Sequence, residues 1–468
     1  MRNKIIRQSL LLLFLPLSVF AQNTLSISNT FDLIKQFHPI AKQATLKVDM
    51  AKASLLSSRG AFDPAFYLNN EQKTFDGKNY FYYSNPELKI PTWYGIEVKA
   101  GYENNYGEKL SAETTLGKSS YLGVSVPLLK DLLIDKRRSD LAQSRILVQL
   151  SKEEKQLMLN DLYLDGASSY WQWTYAFQKQ ALFSNIVNNA KSRLEFIKKS
   201  FQSGDRAAID TVEGLLQLQN IMNLQSQASA EQIEEQSKLS NFLWDATQQP
   251  YELNESIIPD SNWLTIDLNK ITVPSLLQVI EEASLTHPKI KLVEFKTDML
   301  QVERQYKSQN LLPTFRVNYN FLNKGYQFSN PMNQSLYTNN YKAGVQFGLP
   351  LFLRQARGDL KQANIKIAQQ EEETKQVKLE IENKIKKYYA ELIALKNQQL
   401  LTNNSVANAK KLLDAEFQRF EIGESSLFLV NSRELKYIEV LLKSYELKSK
   451  FFKTLIALNW AKGNLNEL

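Results

Sequence analysis

A mainly α-helical fold with a smaller β region is predicted by three features of the 468-residue sequence. They are two long proline-free tracts, short segments of strictly alternating polarity, and an internal duplication. Prolines stand at 16, 39, 64, 86, 91, 127, 250, 259, 274, 288, 313, 331 and 350, which leaves 128–249 and 351–468 without one. Proline costs about 3 kcal/mol inside a helix, so its absence permits uninterrupted helix. Periodicity supplies the positive evidence. Ile381, Ile385, Tyr388, Leu392 and Leu395 follow the 4-3-4-3 spacing of a coiled-coil seam, and Leu150, Leu157, Leu164 and Trp171 recur every seven residues. Gly (16) and Pro (13) are each about 3% of the chain, below their usual roughly 7% and 5%, as long helices require.

Each tract is punctuated near its middle, at Phe201-Gln202-Ser203-Gly204-Asp205 and at Phe420-Glu421-Ile422-Gly423-Glu424. A lone Gly there suits a helix C-cap, where φ is positive. Each tract therefore predicts a helical hairpin: one helix out, a tight tip, one helix back. The outgoing helix has room for about 70 residues, on the order of 100 Å at 1.5 Å rise per residue.

Between the tracts the period changes to two. Phe315, Val317, Tyr319 and Phe321 alternate with polar residues, as do Tyr341, Ala343, Val345 and Phe347. In the first half Ile96, Val98, Ala100 and Tyr102 alternate likewise, followed by Leu122, Val124 and Val126. Such segments read as strands. At about nine residues they match transmembrane β-strands, with a half-buried soluble sheet as the competing reading.

The chain is written twice. His38-Pro39 recurs as His287-Pro288, an offset of 249, whereas Arg138, Asp140, Leu141 and Gln143 recur as Arg357, Asp359, Leu360 and Gln362, an offset of 219. Tyr170 and Tyr389, Phe201 and Phe420, and Gly204 and Gly423 hold the second offset. The change of register places about 30 extra residues in the first β region, within 74–118. The expected division is a signal peptide (1–21), a first repeat (22–250), a linker (251–273) and a second repeat (274–468). The first repeat has strands at about 64–127, a helical hairpin at about 128–249 and a tip near 204. The second has strands at about 313–350, a hairpin at about 351–463 and a tip near 423. Each repeat is a short helix, then strands, then a long helical hairpin.

Composition excludes much. No Cys removes disulfides, thiol nucleophiles and Cys-ligated metal, and two His make a His-rich metal site a poor fit. No catalytic residue, cofactor site or metal site is expected, and no GxxxxGK[ST] phosphate loop is present. The formal charge is +8, but Lys and Glu are interleaved, as in 366–387, which argues for a solvated helical face and no nucleic-acid partner. Arg2, Lys4 and Arg7 precede the apolar run Leu10–Leu15, and Val19-Phe20-Ala21 precede Gln22, the layout of a secretory signal.

If each repeat crosses a bilayer with one strand up and one down, the chain supplies four strands. Single-chain outer-membrane barrels need at least eight, and open edges in lipid leave backbone groups unpaired at several kcal/mol each. Such a chain must oligomerise.

The sequence resembles the TolC-type outer-membrane efflux protein family over essentially its whole length past residue 21. The resemblance is carried by the duplicated His-Pro starts, the strand exits Val126-Pro127-Leu128 and Leu349-Pro350-Leu351, and the tip motifs FQSGDRAAID and FEIGESSLFL. It implies a homotrimer whose twelve-stranded transmembrane β-barrel is continued by a periplasmic α-helical barrel. It further implies a passive outer-membrane exit duct for efflux or type I secretion, partnered by a periplasmic adaptor and an inner-membrane transporter. The rival readings are a periplasmic coiled-coil adaptor and an exported hydrolase built on acidic pairs such as Glu153 and Glu154.

Relatives constrict the pore with acids shortly after the tip Gly, which points here to Asp210 and Glu213. The second-repeat counterparts are Leu429 and Ser432, and Ser425 stands where some relatives carry a latching Arg. Gly204, Asp205, Gly423 and Glu424 mark the expected adaptor-contact tips. His38 and His287 read as packing or capping residues, and Tyr170, Trp171, Trp173 and Tyr175 as inter-helix packing. Arg137 and Arg138 mark the strand-to-helix transition, within reach of acidic head groups or of solvent.

Overall fold

The structure, a computed structural model, describes residues 23–254, 256–326 and 340–465; the signal-like segment 1–21 lies outside the described residues. The first repeat runs β1 (Asn23–Leu25), α1 (Ile27–Phe37), α2 (Pro39–Gly60), β2 (Ala65–Phe75), β3 (Lys78–Pro91), β4 (Glu97–Tyr106), β5 (Gly117–Pro127), α3 (Lys136–Gln202) and α4 (Ala208–Ser240). After β6 (Ile257–Pro259), the second runs α5 (Leu276–Thr286), α6 (Pro288–Gln309), β7 (Thr314–Lys324), β8 (Tyr341–Gly348), α7 (Arg354–Glu421) and α8 (Leu427–Ala461). The chain divides into two compact units. One holds Met1–Ile34, Gly166–Ile271 and Leu395–Lys453; the other holds Lys35–Asp165, Thr272–Ala394 and Thr454–Leu468.

The duplicated His-Pro pairs have one physical role. His38 and His287 are the N-caps of α2 and α6, and each Nδ1 accepts a backbone N–H two residues on, from Ile40 (3.1 Å) and Lys289 (3.0 Å). The following Pro occupies the first helical position, where its missing N–H costs nothing and its fixed φ suits the helix. Both histidines are buried.

The second unit contains one antiparallel sheet in the order β2-β3-β4-β5-β7-β8. This corrects the expectation of four strands. The offset of 249 carries the start of β2 onto the start of β7, and the offset of 219 carries Leu122–Pro127 of β5 onto 341–346 in β8. The extra residues are β3 and β4, a strand pair inserted between β2 and β5. Gly77 (φ 71°) with Asp76 turns β2 into β3, and Gly95 (φ 80°) sits in the turn from β3 to β4.

Of the 251–273 segment, residues 251–271 lie in the first unit, and they are more than a tether. Its β6 pairs in parallel with β1, Asn23 opposite Ile257. Tyr170 on α3 donates its hydroxyl to the Leu25 carbonyl of β1 (3.0 Å).

Candidate functional site

The six-stranded sheet has two chemically distinct faces. On one, cross-strand neighbours run Phe66–Leu88–Ala100–Leu122–Phe321–Tyr341, with Ile90–Val98–Val124–Tyr319–Ala343 alongside. On the other they run Glu87–Gly101–Tyr121–Leu322 and Lys89–Lys99–Gly123–Asn320–Lys342. Phe66, Leu68, Val345 and Phe347, on the apolar face of the two outermost strands, are all exposed. An apolar outer band with a polar opposite face is what a transmembrane barrel wall presents to lipid and to its lumen. Among the described residues no helix is long and apolar enough to cross a membrane.

The inserted strands are fastened to that wall. Tyr121 of β5 lies across Gly101 of β4, where a Cβ would come within 2.6 Å of its hydroxyl, and donates to Glu87 Oε2 of β3 at 2.6 Å. Below them, Trp93 stacks on Phe62 with ring centroids 4.3 Å apart. Lys89 and Arg137 both pair with Glu97, at 3.2 and 3.4 Å. Arg137 and Arg138 thus meet protein carboxylates, and Arg138 also caps the carbonyls of Asp131, Leu132 and Leu133.

Asp135 ends this network and starts α3. Its Oδ1 accepts the Arg138 backbone N–H at 2.9 Å, and both Arg137 and Arg138 pair with it at 3.3 Å. Burial works to raise this carboxyl, but the Arg138 N–H and the two guanidiniums outweigh it and hold it below the ordinary 3.8. Asp135→Ala is expected to cost roughly 1–2 kcal/mol at neutral pH, as for loss of a helix cap. Because the folded carboxyl titrates low, the contribution is complete above 3.8 and is lost as pH falls through the lower folded value. Melting temperatures of wild type and variant should therefore differ at pH 7 and converge in strong acid.

The two tips, both in the first unit, share one backbone motif. Gly204 (φ 84°) bonds back to Phe201 at 3.0 Å and Asp205 to Ser200 at 2.9 Å; Gly423 (φ 83°) bonds to Phe420 at 3.2 Å and Glu424 to Arg419 at 2.8 Å. This paired geometry terminates a helix by satisfying its last carbonyls, and the positive φ is why Gly stands at both positions. Phe201, Ile209, Ile422 and Phe428 are exposed beside these turns, while Ile197, Phe420, Leu427 and Val430 form a buried cluster.

Asp210 lies in the first turn of α4 and is partly exposed. Glu213 is drawn into a network: its Oε1 accepts from Asn431 Nδ2 at 3.2 Å, and Asn431 Oδ1 accepts from Arg193 Nη1 at 3.2 Å. Arg193 in turn grips Glu434 with both nitrogens, at 2.9 and 2.5 Å. The structure thus brings Glu213 together with a second-repeat acid, Glu434, which carried no sequence signal beyond an ordinary Glu on a helix.

A second residue had a readable signal. Arg206 is the first-repeat counterpart of Ser425 at the 219 offset, so an Arg stands at that position in one repeat. Its guanidinium donates to the Phe420 carbonyl at 2.6 Å and lies 3.8 Å from the Phe420 ring centre, tying the first tip to the end of α7. Ser425 instead donates to Glu416 at 2.5 Å.

Trp171 stacks on Phe452 of α8 at 4.6 Å and meets Trp263 edge-on at 6.1 Å, so the aromatic cluster packs α3 against α8 and the 251–273 segment. Glu153 and Glu154 are consecutive on α3 and so project about 100° apart, not as a facing carboxylate pair.

Residues 279–432, which run from α5 through the second tip, match the family model described as outer membrane efflux protein. The match covers about a third of the chain, and over that stretch the sequence is similar to outer membrane efflux proteins. Solved structures of outer membrane proteins share the fold over nearly the whole chain. The Neisseria gonorrhoeae MtrE outer membrane channel, in its open state, has a TM-score of 0.66 at 12% identity, covering 94% of this chain and 89% of that one. The Campylobacter jejuni CmeC outer membrane channel gives 0.63 at 13%, covering 93% and 85%. The outer membrane protein VceC of Vibrio cholerae gives 0.63 at 12%, covering 94% and 96%. No curated protein sequence matches the chain. At these identities the structural likeness is one of fold.

Proposed function

We propose that this protein is the outer-membrane exit duct of a tripartite efflux or type I secretion system. It is a homotrimer that passively conducts substrates delivered by an inner-membrane transporter through a periplasmic adaptor. The observation that carries this reading is the sheet: one apolar face, one polar face and two open edges, in a chain with the efflux-protein domain. A wall open at β2 and β8 closes only with further copies. No phosphate-binding loop is present to supply energy, which falls to the partner. The tips at Gly204, Asp205, Gly423 and Glu424, with the apolar side chains beside them, are the surface offered to the adaptor.

Within this reading Asp210 and Glu213 line the narrow end of the duct and favour cations, as charged rings do. The test is recording in planar bilayers. Wild-type protein should form pores whose reversal potential in a salt gradient reports cation preference. The Asp210→Asn, Glu213→Gln double variant keeps acceptors for neighbouring donors, including Asn431, yet removes two charges per subunit; its preference should fall. An unchanged reversal potential refutes the ring. Failure of the wild type to form pores refutes the duct.

A further inference from the structure

We propose that three copies of this chain close an eighteen-stranded barrel, β8 of each subunit pairing antiparallel with β2 of the next. The proposal rests on the trimeric-duct reading and concerns what the inserted β3–β4 pair does to it. That pair could either lie outside a twelve-stranded wall or be part of the wall.

Four observations place it in the wall. First, β3 and β4 are hydrogen-bonded on both sides, from Phe75–Lys78 at one margin to Asn105–Gly117 at the other, so no seam separates them from β2 or β5. Second, their 14 and 10 residues suffice to cross a bilayer, and their turn returns to the base of the sheet, where Trp93 stacks on Phe62. Third, their faces continue the pattern on either side. Leu88 and Ile90 join Ala100 and Val98 in the apolar band, and Glu87, Lys89 and Lys99 lie on the polar face. Fourth, Tyr121 reaches from β5 over Gly101 to Glu87, a cross-wall tie that a detached hairpin would lose.

The edges then determine closure. An insertion of two strands preserves the up-down alternation, so β2 and β8 still run in opposite directions and remain the two edges. Each carries a row of unpaired backbone groups that hydrocarbon does not satisfy. Both also present apolar side chains on the same face, Phe66 and Leu68 on one edge and Val345 and Phe347 on the other. A second copy of this chain supplies the matching edge for each. Because barrel diameter grows roughly linearly with strand number, the membrane section is about half again as wide as a twelve-stranded one of equal tilt. Its cross-section is then about twofold larger.

The chain has no Cys, so introduced pairs report without background. In the full-length protein extracted from membranes, Val345→Cys is combined in turn with Phe66→Cys, Leu68→Cys and Asn70→Cys. These three sample the register on the shared face, since strand register is constrained to steps of two. Control pairs join Val345→Cys with Val98→Cys or Ala100→Cys on β4. The expected result is a covalent trimer on non-reducing gels from the β2 series alone, with eighteen strands in single-particle density. A twelve-stranded density overturns the proposal while leaving the duct intact, even with the 345–β2 links formed, because β2 stays the edge when β3 and β4 lie outside the wall. Links from 345 to β4 overturn it as well. A particle that is not threefold overturns the duct reading itself.

Discussion

Replacing Arg193 with Ala should lower the stability of the first unit by about 3 kcal/mol or more, the largest single effect expected of a tip substitution. The Arg193 and Glu434 side chains are only 12% and 8% exposed, and two parallel N–H···O bonds join them. Removing the guanidinium strands a buried carboxylate and also releases Asn431, and through it Glu213. Loss of one partner therefore costs much more than the pair contributes net. A double-mutant cycle separates the two quantities. Arg193→Ala and Glu434→Ala should each be severe, whereas the double variant should be clearly less damaging than their sum, because no charge is left buried alone. Denaturant or thermal unfolding of the detergent-solubilised protein reads this directly. Additive single effects would show that the two groups act independently.

Acid should weaken the second unit through His287 well before carboxylates titrate. Burial, with Lys289 and Lys384 nearby, pushes this imidazole from 6.5 down to about 4. It is neutral in the folded protein and accepts the Lys289 N–H at the start of α6. The unfolded chain binds the proton first, so stability is complete above pH 6.5 and falls as the pH drops toward 4. Over that window the loss amounts to about 3 kcal/mol. His287→Asn keeps a capping acceptor and cannot charge, so its stability should stay nearly flat between pH 6.5 and 4 while the wild type declines. Parallel curves for the two proteins would assign the acid sensitivity elsewhere.

Much of the fold was legible because its signals are local and periodic. Proline absence and heptad spacing mark α3 and α7, and the lone glycines mark Gly204 and Gly423, because only backbone geometry is involved. The His-Pro duplication marks two capped helix starts for the same reason. The strand number was not legible. The change from 249 to 219 shows how many residues were inserted, but pairing is non-local. In addition, Tyr80, Phe81, Tyr82 and Tyr83 of β3 form an aromatic run whose alternation is hidden. At the tips, sequence reasoning singled out Asp210 and Glu213 by distance from Gly204. It had no access to Asn431, Arg193 and Glu434, which reach Glu213 from other helices. Arg206 could have been found by applying the 219 offset to Ser425.

The contrast between Arg206 and Ser425 bears on the symmetry of such a ring. Six separate copies of a single repeat would present six identical tips. Fusing two repeats in one chain allows the equivalent positions to diverge. In the proposed trimer, three guanidiniums that grip Phe420 alternate with three hydroxyls that engage Glu416. The ring is thereby reduced from sixfold to threefold symmetry. The two kinds of tip would then be held by different chemistry, a guanidinium on a carbonyl at three of them and a hydroxyl on a carboxylate at the other three.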